Sequence, residues 1–210
     1  MKNSQASFSE EIANGITHGI GVLLSIAGLV ILIVQAARYG TAWHVVSYTI
    51  FGSTMFILYL ASTLYHSIKH QKAKIILRII DHSAIFLLIA GTYTPFVLVA
   101  LRSAWGWSLF GVIWGLAIMG IIFKSLFINR FRILSVFLYI AMGWLVVIAM
   151  PQIIQHLNRT ALTFLIIGGL SYTLGTVFYA LRRIPFSHTV WHLFVLGGTV
   201  MHFFAVLNIL

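Results

Sequence analysis

Apolar residues along this chain arrive in seven long blocks separated by short, mostly basic polar stretches. The blocks cover roughly residues 18–37, 43–65, 79–101, 105–124, 133–151, 161–181 and 189–209. Each approaches the ~20 apolar residues that, at ~1.5 Å rise per residue, cross a hydrocarbon core ~30 Å thick. The pattern predicts an all-α membrane protein, a bundle of seven transmembrane helices. Almost nothing is left over for a soluble domain, so residues 1–210 read as a single transmembrane domain.

Finer punctuation adds detail. Residues 1–17 are polar and Ser-rich and predict a short N-terminal segment with a helix of its own, because Ser7 and Glu10 stand at capping-box spacing. No cleavable signal peptide is expected, since the first apolar block begins late and runs long; that span should serve as its own insertion signal. Pro95, inside the third block, predicts a kink with a freed backbone carbonyl, and Thr92 and Thr94 stand close enough to accommodate it. Trp43, Trp105 and Trp107 fall near one set of block boundaries and Trp191 near the other, where indoles anchor at membrane interfaces. Gly15 with Gly19, and Gly111 with Gly115, have the small-xxx-small spacing of close helix packing. No internal repeat is visible, which speaks against an inverted-repeat transporter.

Composition agrees with the pattern: 60% of residues are hydrophobic and 8% charged, where soluble domains carry about a quarter charged residues. The net charge of +10 would suit nucleic acid, but its distribution excludes that partner. Lys2, Lys69, Lys72, Lys74, Arg78, Lys124, Arg130, Arg132, Arg182 and Arg183 fall on one side of the predicted topology, and only Arg38, Arg102 and Arg159 on the other. Ten against three is the positive-inside asymmetry, which puts the N-terminus in the cytoplasm, the C-terminus outside and the basic side against anionic lipid heads. A G-protein-coupled receptor has the opposite orientation. A retinal protein needs a lysine in its last span, and 189–209 contains none. With no cysteine in the chain, histidine and carboxylate are the strong metal ligands available.

Asp81 is the only acidic residue beyond position 11, and it stands at the mouth of an apolar block. An ionisable group there marks a functional site. Because successive spans alternate in direction, His66 at the end of the second, Asp81 at the start of the third and His188 at the start of the seventh share one depth near the cytoplasmic surface. His188 and His192, four residues apart, project from one helix face, as do Ser62 and His66. Three imidazoles with an open fourth position form a catalytic zinc arrangement, which lowers the pKa of a bound water to about 7. Asp81 is then placed to hold or deprotonate that water, and Ser62 to donate to a nearby oxygen. Imidazole ligands alone also admit copper, nickel or iron. His44, His70 and His156 fall at surfaces, and His202 lies ten residues beyond His192, about 15 Å along the axis. His18 and His82 share the site's level and suit a supporting role.

Five motifs then resemble a known family: Glu11-Ile12-Ala13-Asn14-Gly15-Ile16-Thr17-His18, Ser62-Thr63-Leu64-Tyr65-His66, Asp81-His82-Ser83-Ala84-Ile85-Phe86, Gly91-Thr92-Tyr93-Thr94-Pro95 and His188-Thr189-Val190-Trp191-His192. In order and spacing, from about residue 8 to 208, they are similar to the haemolysin III family, the bacterial branch of the progestin and adipoQ receptor proteins. The resemblance implies seven helices with the N-terminus inside, in a bacterial cell membrane. It implies zinc held by His66, His188 and His192, with Asp81 reaching it through water and Ser62 beside it. Receptor relatives in the wider group resemble ceramidases, and bacterial members are linked to membrane lipid homeostasis. Three functions compete: a zinc-dependent hydrolase of a lipid amide or ester, a non-catalytic zinc-stapled lipid-sensing protein, and a haemolysin-like pore former. The last ranks lowest because no polar stripe is available to line a pore.

Overall fold

The computed structural model describes residues 7–128, 130–181 and 184–210, the side chain of Arg132 apart. Lys2, Arg182 and Arg183 of the charge pattern lie outside the described residues. Among the described residues the chain is all helix: α1 Phe8–Tyr39, α2 Ala42–Ser67, α3 Gln71–Pro95, α4 Ala104–Leu126, α5 Arg132–Trp144, α6 Met150–His156, α7 Arg159–Ala180 and α8 Ser187–Leu207. With α5 and α6 together making one crossing, seven helical spans are long and apolar enough to traverse a membrane.

The helix α1 absorbs the segment expected to form a separate leader. Ser7 caps it, its Oγ accepting from the Glu10 N–H at 3.1 Å. From there nothing breaks the ladder before Tyr39, because Glu10, Glu11 and Asn14 are polar without being helix breakers. One stripe of α1 is buried: Asn14, His18, Gly21, Ser25, Leu32 and Ala36, at helical spacing. The opposite side exposes Leu23, Val30 and Val34, as a lipid-facing surface does. Small residues on the stripe let α1 lie close against its neighbours. A Cβ on Gly21 would run into the ring of Tyr59 on α2, and one on Gly28 would meet Phe203 on α8 at 3.4 Å.

The helix α3 also starts earlier than the apolar block, at Gln71, with His70 Nδ1 accepting from the Ala73 N–H at 3.4 Å. Lys72, Lys74 and Arg78 are therefore helical rather than loop residues. Pro95 ends the α-helical ladder and a π-turn, Phe96–Ala100, follows, closed by Leu101 N–H to Phe96 O at 2.8 Å. Thr92 and Thr94 donate to the Leu88 and Ala90 carbonyls one turn back, and Thr94 also accepts from Trp114 Nε1 at 3.1 Å.

The fifth crossing is interrupted where a continuous helix was expected. It passes from α5 through a 3-10 turn, Leu145–Ala149, into α6, whose first turn holds Pro151. The proline removes one N–H donor and crowds the turn before it. Tyr93 of α3 clasps the break: its hydroxyl lies 3.0 Å from Met142 O and 2.8 Å from Gly143 O, and accepts from Val146 N–H at 2.6 Å. A Tyr93→Phe variant takes that partner from Gly143 O and Val146 N–H, at about 1–3 kcal/mol per group, while Met142 O keeps the Leu145 N–H. Its thermal midpoint in detergent should fall clearly below that of the wild type.

Three finer expectations need correction. A Cβ on Gly111 or Gly115 would meet nothing within 4 Å, so that pair makes no helix contact within the chain, whereas a Cβ on Gly15 would meet Ser67 Oγ of α2 at 3.3 Å. Trp191 is buried, packed against Tyr179 and close to Gly175, instead of anchoring at an interface. Lys124 is in the last turn of α4, fully buried, its Nζ donating to Ser135 Oγ of α5 at 2.9 Å.

A candidate metal centre

The beginnings of α1, α3 and α8 and the end of α2 meet at one end of the bundle. His66 is in the last turn of α2, Asp81 in the third turn of α3, and His188 and His192 in the first two turns of α8. Phe186, in the left-handed region at φ 58°, turns the chain directly into α8. One ring nitrogen from each of His66, His188 and His192 lies within 4.8 Å of the others. The ring centroids are 5.3, 5.1 and 4.6 Å apart for the 66–188, 66–192 and 188–192 pairs. Tetrahedral zinc with ~2.0–2.1 Å bonds needs ligand nitrogens about 3.4 Å apart, so rotamer adjustments of about an ångström would close the set.

The donor chemistry also fits a cation. His66 Nδ1 is 3.1 Å from Glu11 Oε2, which commits that nitrogen as the N–H donor. Its Nε2 is buried with no hydrogen-bond partner. An orphaned imidazole nitrogen costs about 1–3 kcal/mol when desolvated, and a metal facing its lone pair removes that penalty.

Other residues singled out in the sequence fall around this cluster without joining it. Ser62, one turn before His66, is fully buried with an unpartnered Oγ. Asp81 lies outside the three-histidine cluster; its Oδ2 is 3.4 Å from His82 Nδ1, which has a nearer acceptor in Arg78 O at 2.8 Å. His18 stacks flat on His192, centroids 3.6 Å apart and planes 9° from parallel, and neither of its ring nitrogens has a partner. Thr189 donates to Asn14 Oδ1 at 2.6 Å, fastening α8 to α1.

Of the α1 residues here, the sequence assigns a supporting role to His18 alone, and the contacts of Glu11 and Asn14 escape it. Glu11, Asn14 and His18 are three and four residues apart, one face of a helix, and that spacing was the available signal.

A cavity of about 170 Å³ opens beside the cluster, with Asp81, His188 and His192 in its wall. It continues along α3 past Leu88 and Phe96 to Leu101. The 20 residues from Asp81 to Leu101 span about 30 Å at helical rise, most of a bilayer's apolar depth. Beyond the polar end its wall is largely aliphatic and aromatic.

A sequence profile described as "Haemolysin-III related" matches residues 6–203. The "Hemolysin-3 homolog" of Bacillus subtilis (strain 168) is 55% identical over 201 residues, 96% of this chain and 94% of that protein. "Hemolysin-3" of Bacillus cereus is 53% identical over 198 residues, 94% and 90% of the two chains. The "Monocyte to macrophage differentiation factor" of Homo sapiens is 29% identical over 210 residues, covering 94% and 83%.

Proposed function

The chain belongs to the haemolysin III-related family, a multi-pass bacterial membrane protein, and on that premise we propose that it is a zinc-dependent hydrolase of a lipid amide or ester. One observation carries this reading: the largely apolar cavity that holds Asp81 beside His188 and His192 in its wall at one end. Such a shape suits a ligand with one reactive polar group and a long hydrocarbon tail. The end with Asp81 belongs at the cytoplasmic side, on an asymmetry of basic residues that is still nine to three with the enclosed Lys124 set aside.

His66, His188 and His192 would hold the zinc. When bound, zinc supplies Lewis acidity towards water and the scissile carbonyl. Asp81 takes a proton from the attacking water on its carboxylate and returns it to the departing nitrogen or oxygen. The carbonyl carbon gains the water oxygen and loses the amine or alcohol. Ser62, its hydroxyl unpartnered in the resting site, donates to the developing oxyanion. The aliphatic wall binds the tail and keeps bulk water from the reacting carbon.

Zinc-loaded protein in detergent, given a long-chain N-acyl amide or ester, should release free fatty acid. Asp81→Asn should retain the metal and lose about 10²–10⁴-fold in rate, the usual contribution of a general acid–base group. Equal rates for the two proteins would end the catalytic reading. A second reading then takes over, because the cluster joins α2 to α8: the metal would be a staple in a lipid-sensing protein, seen as a midpoint of unfolding that falls on chelation without any hydrolysis.

A further inference from the structure

Of the three clustered histidines, only His66 has a carboxylate within ion-pair distance among the described residues, and that carboxylate comes from α1. Glu11 Oε2 is 3.1 Å from His66 Nδ1 and 3.0 Å from Lys74 Nζ, so one oxygen bridges the end of α2 to the first turn of α3. The Glu11 side chain is about a quarter exposed and that of His66 only 3%, so the contact sits at the lip of a closed site. The opposite ring nitrogen of His66 is the buried, unpartnered one. Carboxylate, imidazole and vacant nitrogen thus stand in the order by which a carboxylate fixes the tautomer of a metal ligand and raises its basicity.

Resting on the metal reading above, we propose that Glu11 is a positioning residue for the metal centre: it holds the His66 ring with Nδ1–H outward and the Nε2 lone pair inward. Lys74 holds the same oxygen and steers Glu11, so α1 is a working wall of the site and not only a membrane anchor. Asn14, held by Thr189, and His18, stacked on His192, repeat the theme on the α8 side, where α1 braces the other two ligands.

The test is metal affinity, with no turnover involved. Metal-free full-length protein is titrated with cobalt(II), followed by its visible ligand-field band, and zinc affinity is read by competition. Glu11→Ala should bind zinc about 10–100-fold more weakly, the usual cost of losing an orienting partner. Glu11→Gln, which can still accept from Nδ1–H but lacks the charge, should fall between the two. Lys74→Met should stay within a few-fold of wild type, because the carboxylate remains. If Glu11→Ala is too unstable to purify, Glu11→Gln decides, since wild-type affinity there overturns the proposal. A purely structural role predicts lower thermal midpoints for the Glu11 and Lys74 variants with unchanged affinity, and that outcome overturns it too. If wild type itself binds neither metal, the metal-centre reading falls first; wild-type binding with unaltered variants sinks only the role of Glu11.

Discussion

A His188→Ala, His192→Ala double variant is expected to purify with essentially no bound metal, against about one equivalent per chain in the wild type. The two residues supply two of the three nitrogens that converge within 4.8 Å, and His66 alone cannot hold a divalent cation against chelation. Three-histidine binding depends on every ligand, because zinc sites of this class rely on complete coordination for their affinity. Hydrolysis of a lipid amide should fall to the blank with the metal. The helices should survive: α8 remains fastened by Thr189 to Asn14 and by Thr199 to Tyr59 at 2.7 Å. Helical circular dichroism and a monodisperse elution profile would document that. Elemental analysis is decisive, and equal metal content in both proteins would remove the cluster from consideration. His44→Ala and His156→Ala, at hydrogen-bonded positions near other helix ends, should leave metal content unchanged.

The second large effect concerns Gly106→Ala. A Cβ there would strike the backbone carbonyl oxygens of Leu101 and Val97, atoms that no side-chain rotation can move aside. The helix α4 would have to back away from the π-turn that ends the third crossing, loosening Ser103, whose Oγ accepts from the Gly106 N–H at 3.3 Å. Overpacking of this kind costs about 1–3 kcal/mol, and more where backbone must yield, so about 3 kcal/mol is expected. Gly111→Ala and Gly115→Ala, on the same helix, should do the reverse. Nothing lies within 4 Å of a Cβ at either site, and replacing glycine by alanine inside a helix is worth about 1 kcal/mol. Thermal unfolding in one detergent orders the three variants. A midpoint for Gly106→Ala at or above that of Gly111→Ala would contradict the packing described. Because Val97 and Leu101 also line the cavity, the destabilised variant should handle long-chain lipids poorly even where it stays folded.

These contrasts mark what a one-dimensional reading can reach. Seven crossings are legible because apolar blocks of span length leave the bilayer as their only solvent, and alternating direction then brings His66, Asp81 and His188 to one depth. Helix starts are less legible. Glu10, Lys72 and Lys74 are polar and yet good helix formers, so α1 and α3 run well beyond their apolar blocks. Spacing motifs do not say which side of a helix faces protein, so Gly111 and Gly115 match a packing motif on a lipid-facing surface. Lys124 looked like an orienting loop charge and is instead enclosed, because Ser135 reaches it from the next helix. Partners of the ligands were the least legible part. Glu11 acquires its meaning only once α1 lies against α2, across 55 positions of sequence.

That reach, from Glu11 near the beginning to His192 near the end, has a consequence for biosynthesis. Until a ribosome reaches the final span, the nascent polypeptide possesses a single imidazole of the trio. A metal held by all three would have to load after the last span has been made, and it would tie the second helix to the last. Two coexpressed fragments severed between α4 and α5 would divide the ligands, His66 on one and His188 with His192 on the other. Reunion of the halves would become zinc-responsive, turning an assembly question into a measurable equilibrium.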